Sequence, residues 1–160
     1  MSSGERAVGL ALGFVADAVF GDPRRGHPVA GFGTLAAGLE RRLYADHRMT
    51  GAVYTTVLVG AAVAGGAGLD RGRPWWRLAV IAAATWAVLG GSSLAGHGSG
   101  LARELAAGDL DAARRRLPSL CGRDPAALDA AGLARAGPES LAENTSDAGV
   151  APLLWGAVGG

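Results

Sequence analysis

The chain has 160 residues, of which 49% are hydrophobic and 27 more are glycine, while only 18% are charged; soluble domains usually carry roughly 25%. Mean hydropathy is +0.24 and formal net charge is +1, which argues against a soluble domain and excludes a broadly basic nucleic-acid-binding surface. All 15 basic residues are arginine, so there is no lysine nucleophile or P-loop lysine, and the single Cys121, read as an ordinary small residue, makes no internal disulfide.

The first apolar stretch, 7–20, is short for a span, which needs about 20 residues. Asp17 interrupts it and no small-residue cleavage site follows, so it reads as a retained membrane segment rather than a signal peptide. An ionisable residue in such a stretch is costly unless it faces a polar partner. Gly21-Asp22-Pro23 signals a turn. After it, Arg24 and Arg25 suit phosphate or carboxylate binding, or simply mark topology, and His27 suits a general base or an ordinary turn.

The stretch 51–69 has no charged residue and predicts a membrane span, as does 75–95. Gly60/Ala64, Ala61/Gly65 and Ala64/Gly68 lie four apart, a spacing that lets helices approach closely in lipid, although the composition alone would produce such pairs. Trp75, Trp76 and Tyr54 fall near span ends, where amphipathic rings favour the interface. Eleven of the fifteen arginines lie between the first two spans or after the third. If 7–20 spans, both Arg-rich segments share one side, which the positive-inside rule makes cytoplasmic.

The segment 96–146 predicts short helices in a cytoplasmic loop. One opens at Asp109 or Asp111 and ends before Pro118, with Arg114–Arg116 in its last turn. A second is expected from about Pro125, capped by Asp124, to Ala136, and a third from Pro138. A further apolar run starts at 147, and the chain stops inside it. The fold expected is all-α, a single incomplete membrane domain that crosses the bilayer several times.

Three segments carry candidate chemistry. Glu139, Glu143 and Asp147 are spaced i, i+4, i+8, so an unbroken helix puts them on one face. Stacked carboxylates repel unless a cation sits among them, and hard oxygen donors suit Mg²⁺, especially with a nucleotide phosphate as co-ligand. Asn144 beside them suits a phosphate or an amide. The plainer reading makes Glu139 a helix-dipole partner and Asp147 a cap. Arg123 and Asp124, at a predicted helix start, form an anion site or a structural pair. Asp17, Asp22, Arg24 and His27 make up the other segment.

Two stretches, "DAVFGDPRRGHPVAGFG" from Asp17 and "ARRRLPSLCGRDPAALDAAGLARAGPESLAENTSDAGVAPLLWGAVGG" from Ala113, resemble the two N-terminal blocks of the CobD/CbiB family of cobalamin biosynthesis. The family usually has Thr in place of Pro125, Phe in place of Leu154 and an apolar residue in place of Pro138. Its chains continue through an Asn-Thr-Leu-Asp-Ser-Met block and further spans that are absent here, so the chain resembles the N-terminal half and is expected to be inactive alone. The resemblance implies a multi-pass inner-membrane amide ligase, adenosylcobinamide-phosphate synthase. Such an enzyme joins aminopropanol or its O-phosphate to adenosylcobyric acid, consuming ATP and requiring Mg²⁺. For that chemistry the residues themselves, and not the resemblance, suggest the roles: Asp17, Asp22, Glu143 and Asn144 are expected to be catalytic. Arg24, His27, Arg123 and Asp124 are expected to bind substrate or phosphate, and Glu139, Glu143 and Asp147 the metal. Expected partners are the corrinoid, the amine and membrane lipid, with no nucleic acid, and a second copy or other corrinoid-pathway proteins. The competing reading is a non-catalytic membrane scaffold for corrinoid assembly. A transporter fits less well, because only Asp17 sits in mid-span.

Overall fold

A computed structural model describes residues 2–22, 26–69 and 73–159. Those residues form helices joined by short turns, with no strand among them. The first helix, α1 (Ser3–Phe20), opens on a capping box: the Ser2 hydroxyl accepts from the Glu5 N–H, and the Glu5 carboxylate accepts from the Ser2 N–H. Its buried residues are Gly9, Gly13 and Asp17, one stripe four residues apart.

Helix α4 (Pro74–Val88) lies against that stripe. A Cβ at Gly9 would sit 2.7 Å from Ile81 Cγ2, and one at Gly13 only 2.7 Å from the Ala82 carbonyl oxygen. Position 9 meets 81, position 13 meets 82 and 85, and position 17 meets 92, so the two helices run parallel. Helix α8 (Ala151–Gly159) packs antiparallel to α1: Gly156 abuts Leu10, and Arg6 donates to the Ala157 carbonyl at 3.0 Å.

Between α1 and α4 the chain forms α2 (Pro28–Leu43) and α3 (Arg48–Leu69). The Tyr54 hydroxyl donates to the Ala36 carbonyl at 3.3 Å and ties the pair together, while the Trp76 indole of α4 donates to the Leu69 carbonyl at the end of α3. No residue of α3 is buried. Gly60, Gly65 and Gly68 have nothing within 4 Å of where a Cβ would stand. The close helix approach expected of α3 is made by Gly9 and Gly13 of α1 instead, because these are the glycines that another helix overlies.

Helices α5 (Gly91–Ala106), α6 (Leu110–Arg116) and α7 (Ala130–Thr145) build a second unit of different character. Its core of Leu101, Ala113, Leu117, Leu120, Leu133 and Ala136 is buried. In contrast, Val8, Leu12, Phe14 and Val15 of α1, Val57 and Val63 of α3, and Leu154 and Trp155 of α8 are exposed. Exposed apolar surface on that scale marks a membrane or partner face, whereas the α5–α7 unit hides its apolar residues as a water-facing domain does. Two stretches, Arg48–Leu69 and Pro74–Ala106, are long and apolar enough to cross a bilayer. The second is broken at Leu89–Gly90, within the apolar run 75–95, where α4 ends and α5 begins.

Asp109 caps α6 as expected, accepting from the Ala112 N–H at 2.9 Å. The second helix of this unit differs from expectation. Asp124 and Pro125 open only a single 3-10 turn, Pro125–Ala127, and α7 starts at Ala130 under an Asp129 cap. Pro138 lies inside α7 instead of starting a new helix. Leu133, Ala136, Gly137 and Ser140 form one continuous buried face across the proline, and a Cβ at Gly137 would stand 2.5 Å from Leu101. Packing of that face outweighs the hydrogen bond that the proline cannot donate. Arg116 lies in the last turn of α6, as expected. It turns inward to a forked pair with Glu104, in space left by Gly100.

Candidate functional site at the broken helix

The break between α4 and α5 leaves backbone groups that need partners. The Gly90 N–H crosses to the Ala148 carbonyl at 3.1 Å. Asp17 serves the start of α5: one carboxylate oxygen accepts from the Ser92 N–H at 3.2 Å and the other from the Ser92 hydroxyl at 3.1 Å. Asp17 is only 4% exposed, and Gly91 is part of the fit, since a Cβ there would stand 3.0 Å from its carboxylate. The buried carboxyl group therefore meets the positive end of a helix and two donors.

Around this cap lies the first sequence block. Gly21 takes φ 65°, in the left-handed region that favours glycine, and its carbonyl accepts from the Trp86 indole at 3.0 Å. Beyond it, Asp22 Oδ1 is buried with no hydrogen-bond partner and lies 4.0 Å from His27 Nε2. His27 Nδ1 accepts from the Val29 N–H as it caps α2, so the neutral ring carries its proton on Nε2, the nitrogen facing Asp22. Arg24 lies outside the described residues.

The second block approaches from α7. Arg123 pairs with Glu139 at 2.9 Å, both half-exposed. Asn144 donates to the Leu120 carbonyl at 2.7 Å and pins the end of α7 to the loop before Cys121. Asp124 is held by its own turn, accepting from the Ala126 N–H at 3.0 Å. Glu143 and Asp147 are exposed. Asp147 lies in a π turn, Ser146–Val150, whose wider winding takes it off the strict four-residue register of Glu139 and Glu143. Among the described residues no group of three or more His, Cys, Asp or Glu side chains converges to hold a metal. The oxygens of Glu143 and Asp147 suit a hard cation that keeps water and phosphate as its other ligands, not a closed protein cage.

The same π turn supplies Ala148, the acceptor for Gly90. The helix break is thus where the two blocks meet, Asp17 from one side and Ala148 from the other. A groove of about 440 Å³ runs from this point between α5 and α7, with Gly91, Leu94, Leu141, Thr145 and Gly149 among its lining, and its walls are mostly apolar. Sequence reasoning missed Trp86, Gly90, Gly91 and Ser92; the Gly90-Gly91 pair inside an apolar run was the available signal.

Removing the Asp17 carboxylate separates its capping from any chemical role. Asp17→Ala strands the Ser92 N–H and hydroxyl and is expected to cost about 2 kcal/mol, the upper range for a lost cap. Asp17→Asn keeps an oxygen acceptor and is expected to lose less. Thermal unfolding of the two variants reads the difference, and equal melting temperatures would remove the cap from the account.

The description CobD/Cbib protein belongs to a family model that matches residues 10–160. The chain belongs to the CobD/CbiB family. It is 57% identical over 157 residues to the cobalamin biosynthesis protein CobD of Mycobacterium tuberculosis, covering 97% of this chain and 50% of that protein. It is 38% identical to the protein of that name from Rhodobacter capsulatus, over 96% of this chain and 49% of the relative. With the Geobacter metallireducens protein of that name it shares 39% identity, over 90% and 48%. The chain therefore spans about half the length of these CobD relatives. No solved structure matches it.

Proposed function

We propose that this chain supplies the N-terminal half of a cobalamin-biosynthesis enzyme, an ATP-dependent ligase that amidates adenosylcobyric acid with aminopropanol or its O-phosphate. The observation that carries this reading is the meeting of the two polar blocks at one end of the α1, α4 and α8 bundle, in a chain of the CobD/CbiB family. A carboxylate does not form an amide at neutral pH until it is activated. In this scheme the corrin propionate attacks the γ-phosphorus of ATP, and ADP leaves. The amine nitrogen then attacks the acyl carbon, the carbon–oxygen bond to phosphate breaks, and the nitrogen gives up a proton.

This chain's residues divide that work. Glu143 and Asp147, with Glu139 beyond them, face the nucleotide's metal, and Mg²⁺ there would offset phosphate charge. Arg123 and Arg24 neutralise charge on the transferred group. Asn144 fixes the end of α7 that presents the acids. Asp22 has a free, buried carboxylate oxygen and suits the amine; His27 and Asp124 complete the polar rim. Asp17 acts at one remove, by holding the start of α5.

The reading includes a multi-pass inner-membrane protein with both motif blocks on the cytoplasmic side. The parallel course of α1 and α4 supports it, because two parallel spans need a return crossing between them and α3 has the length for one. Eleven of fifteen arginines then fall on the α5–α7 side. Self-association or binding to other corrinoid-pathway proteins belongs to the same proposal.

The test uses membranes containing the full-length form of this chain. Cobyric acid should be consumed only when ATP and the amine are both present, with the amide as product. Membranes that stay inert while still collecting other corrinoid enzymes would replace the ligase by a scaffold.

A further inference from the structure

Helix α2 has no buried residue, yet its apolar side chains are not scattered. Val29, Phe32, Ala36, Leu39 and Leu43 recur at steps of three and four, with Leu35 at the margin, so they share one stripe. Thr34 and Arg41 fall on the opposite face, and Glu40 and Arg42 flank the stripe. Val29, Phe32 and Leu35, in the first half, are exposed. Helix α3 has another character: it carries no charge from 49 to 69. The position of α2 is fixed at two points. At its start His27 lies 4.0 Å from Asp22, just past the end of α1. Farther along, its Ala36 carbonyl accepts from Tyr54, in the second turn of α3. The start of α4 lies beside the first half of α1, where Leu78 and Ile81 face Gly9, and Trp76 there reaches Leu69 at the end of α3. If α3 crosses the bilayer, it therefore begins on the side where α1 ends. A crossing needs about 20 residues and α3 has 22, so Tyr54 stays near the membrane surface and holds Ala36 there.

We propose that α2 lies in the plane of the membrane, with its apolar stripe sunk into the phospholipid surface and Thr34 and Arg41 turned to water. A helix with one face for hydrocarbon and one for water takes this position at a bilayer. Arg41, Arg42 and Arg48, at the far end, meet the headgroup phosphates. The occupant is lipid rather than protein, because Val29, Phe32 and Leu35 make a strip far smaller than a stable interface between proteins buries. The contact reaches the candidate site. His27 caps α2 and faces Asp22, so a helix seated on the bilayer sets the depth of the Asp22 turn. This proposal rests on the membrane reading of α3 given above and not on the ligase chemistry.

The test places single nitroxide labels on the full-length form, with Cys121→Ala removing the native thiol of this half, in bilayers of phosphatidylcholine and phosphatidylglycerol. Power saturation compares contact with oxygen, which concentrates in hydrocarbon, and with a nickel chelate, which stays in water. Labels at Val29, Phe32 and Leu35 should favour oxygen several-fold more than labels at Thr34 and Arg41. They should also lie shallower than a label at Val63, in the apolar helix α3. Phe32→Asp should shift the Val29 label toward water, with far-UV circular dichroism checking that the helices persist. Water contact all round α2, with Val63 in hydrocarbon, overturns the in-plane helix and leaves the spans. Labels on every face as deep as Val63 would make α2 a crossing helix, and a stripe shielded from both probes would be covered by protein; either result overturns the proposal. Val63 in water would remove the membrane reading of α3, and the in-plane helix with it.

Discussion

Gly13→Val is expected to part α1 from α4 and to destabilise the bundle by about 3 kcal/mol, the upper part of the range for an overpacked contact. The position has no slack. Even the first carbon of a side chain would stand 2.7 Å from the Ala82 carbonyl oxygen, and a backbone atom cannot rotate away as the tip of a side chain can. If α4 moves out, the damage spreads along the chain, because one turn further on Asp17 reaches Ser92 across the same interface. The variant should therefore both lower the melting temperature and loosen the start of α5, which hydrogen exchange at Ser92 would report. Gly60→Val is the matched control: it adds the same bulk to an equally apolar helix with nothing within 4 Å and should melt like the parent. Equal melting of Gly13→Val and Gly60→Val would show that the α1–α4 contact does not hold the bundle together.

Glu143→Gln is expected to reduce amide formation by the full-length form about 10²-fold or more, the scale for removing one electrostatic contact to a reacting group. The side chain is exposed near the end of α7 and outside the buried face Leu133, Ala136, Gly137 and Ser140. Glutamine keeps the shape and helix propensity of glutamate, so stability and membrane insertion should not change. Raising Mg²⁺ should partly restore turnover if the lost charge served the metal. Wild-type turnover in the variant would take the acidic end of α7 out of the mechanism.

Much of this architecture was legible in the residues themselves. Hydropathy gave the apolar runs, and Asp109 announced the start of α6 through the capping preference of a short acidic side chain. Two features escaped for physical reasons. Gly9 and Gly13 look no different from the glycines of α3, and only the arrival of α4 makes them a contact surface. Pro138 is a helix breaker by local preference, but a face that buries Leu133 and Ser140 on either side of it carries the helix through. The candidate site was legible in composition more than in geometry. Asp22, Arg123 and Glu139 stand out by type, yet the pairing of Arg123 with Glu139 joins residues 16 apart across a turn and two helical segments. Asp17 drew attention as a costly charge in an apolar stretch; its partner, a helix start far along the chain, leaves no mark near it in sequence.

That distance bears on how the protein is made. Asp17 and Ser92 are 75 residues apart, so α1 leaves the ribosome with a polar side chain whose partner does not yet exist. Until α4 and the first turn of α5 follow, the nascent helix must keep this carboxylate wet or protonated. Stalled chains that stop before Ser92 should hold α1 loosely in the bilayer, and chains a little longer should lock it in place.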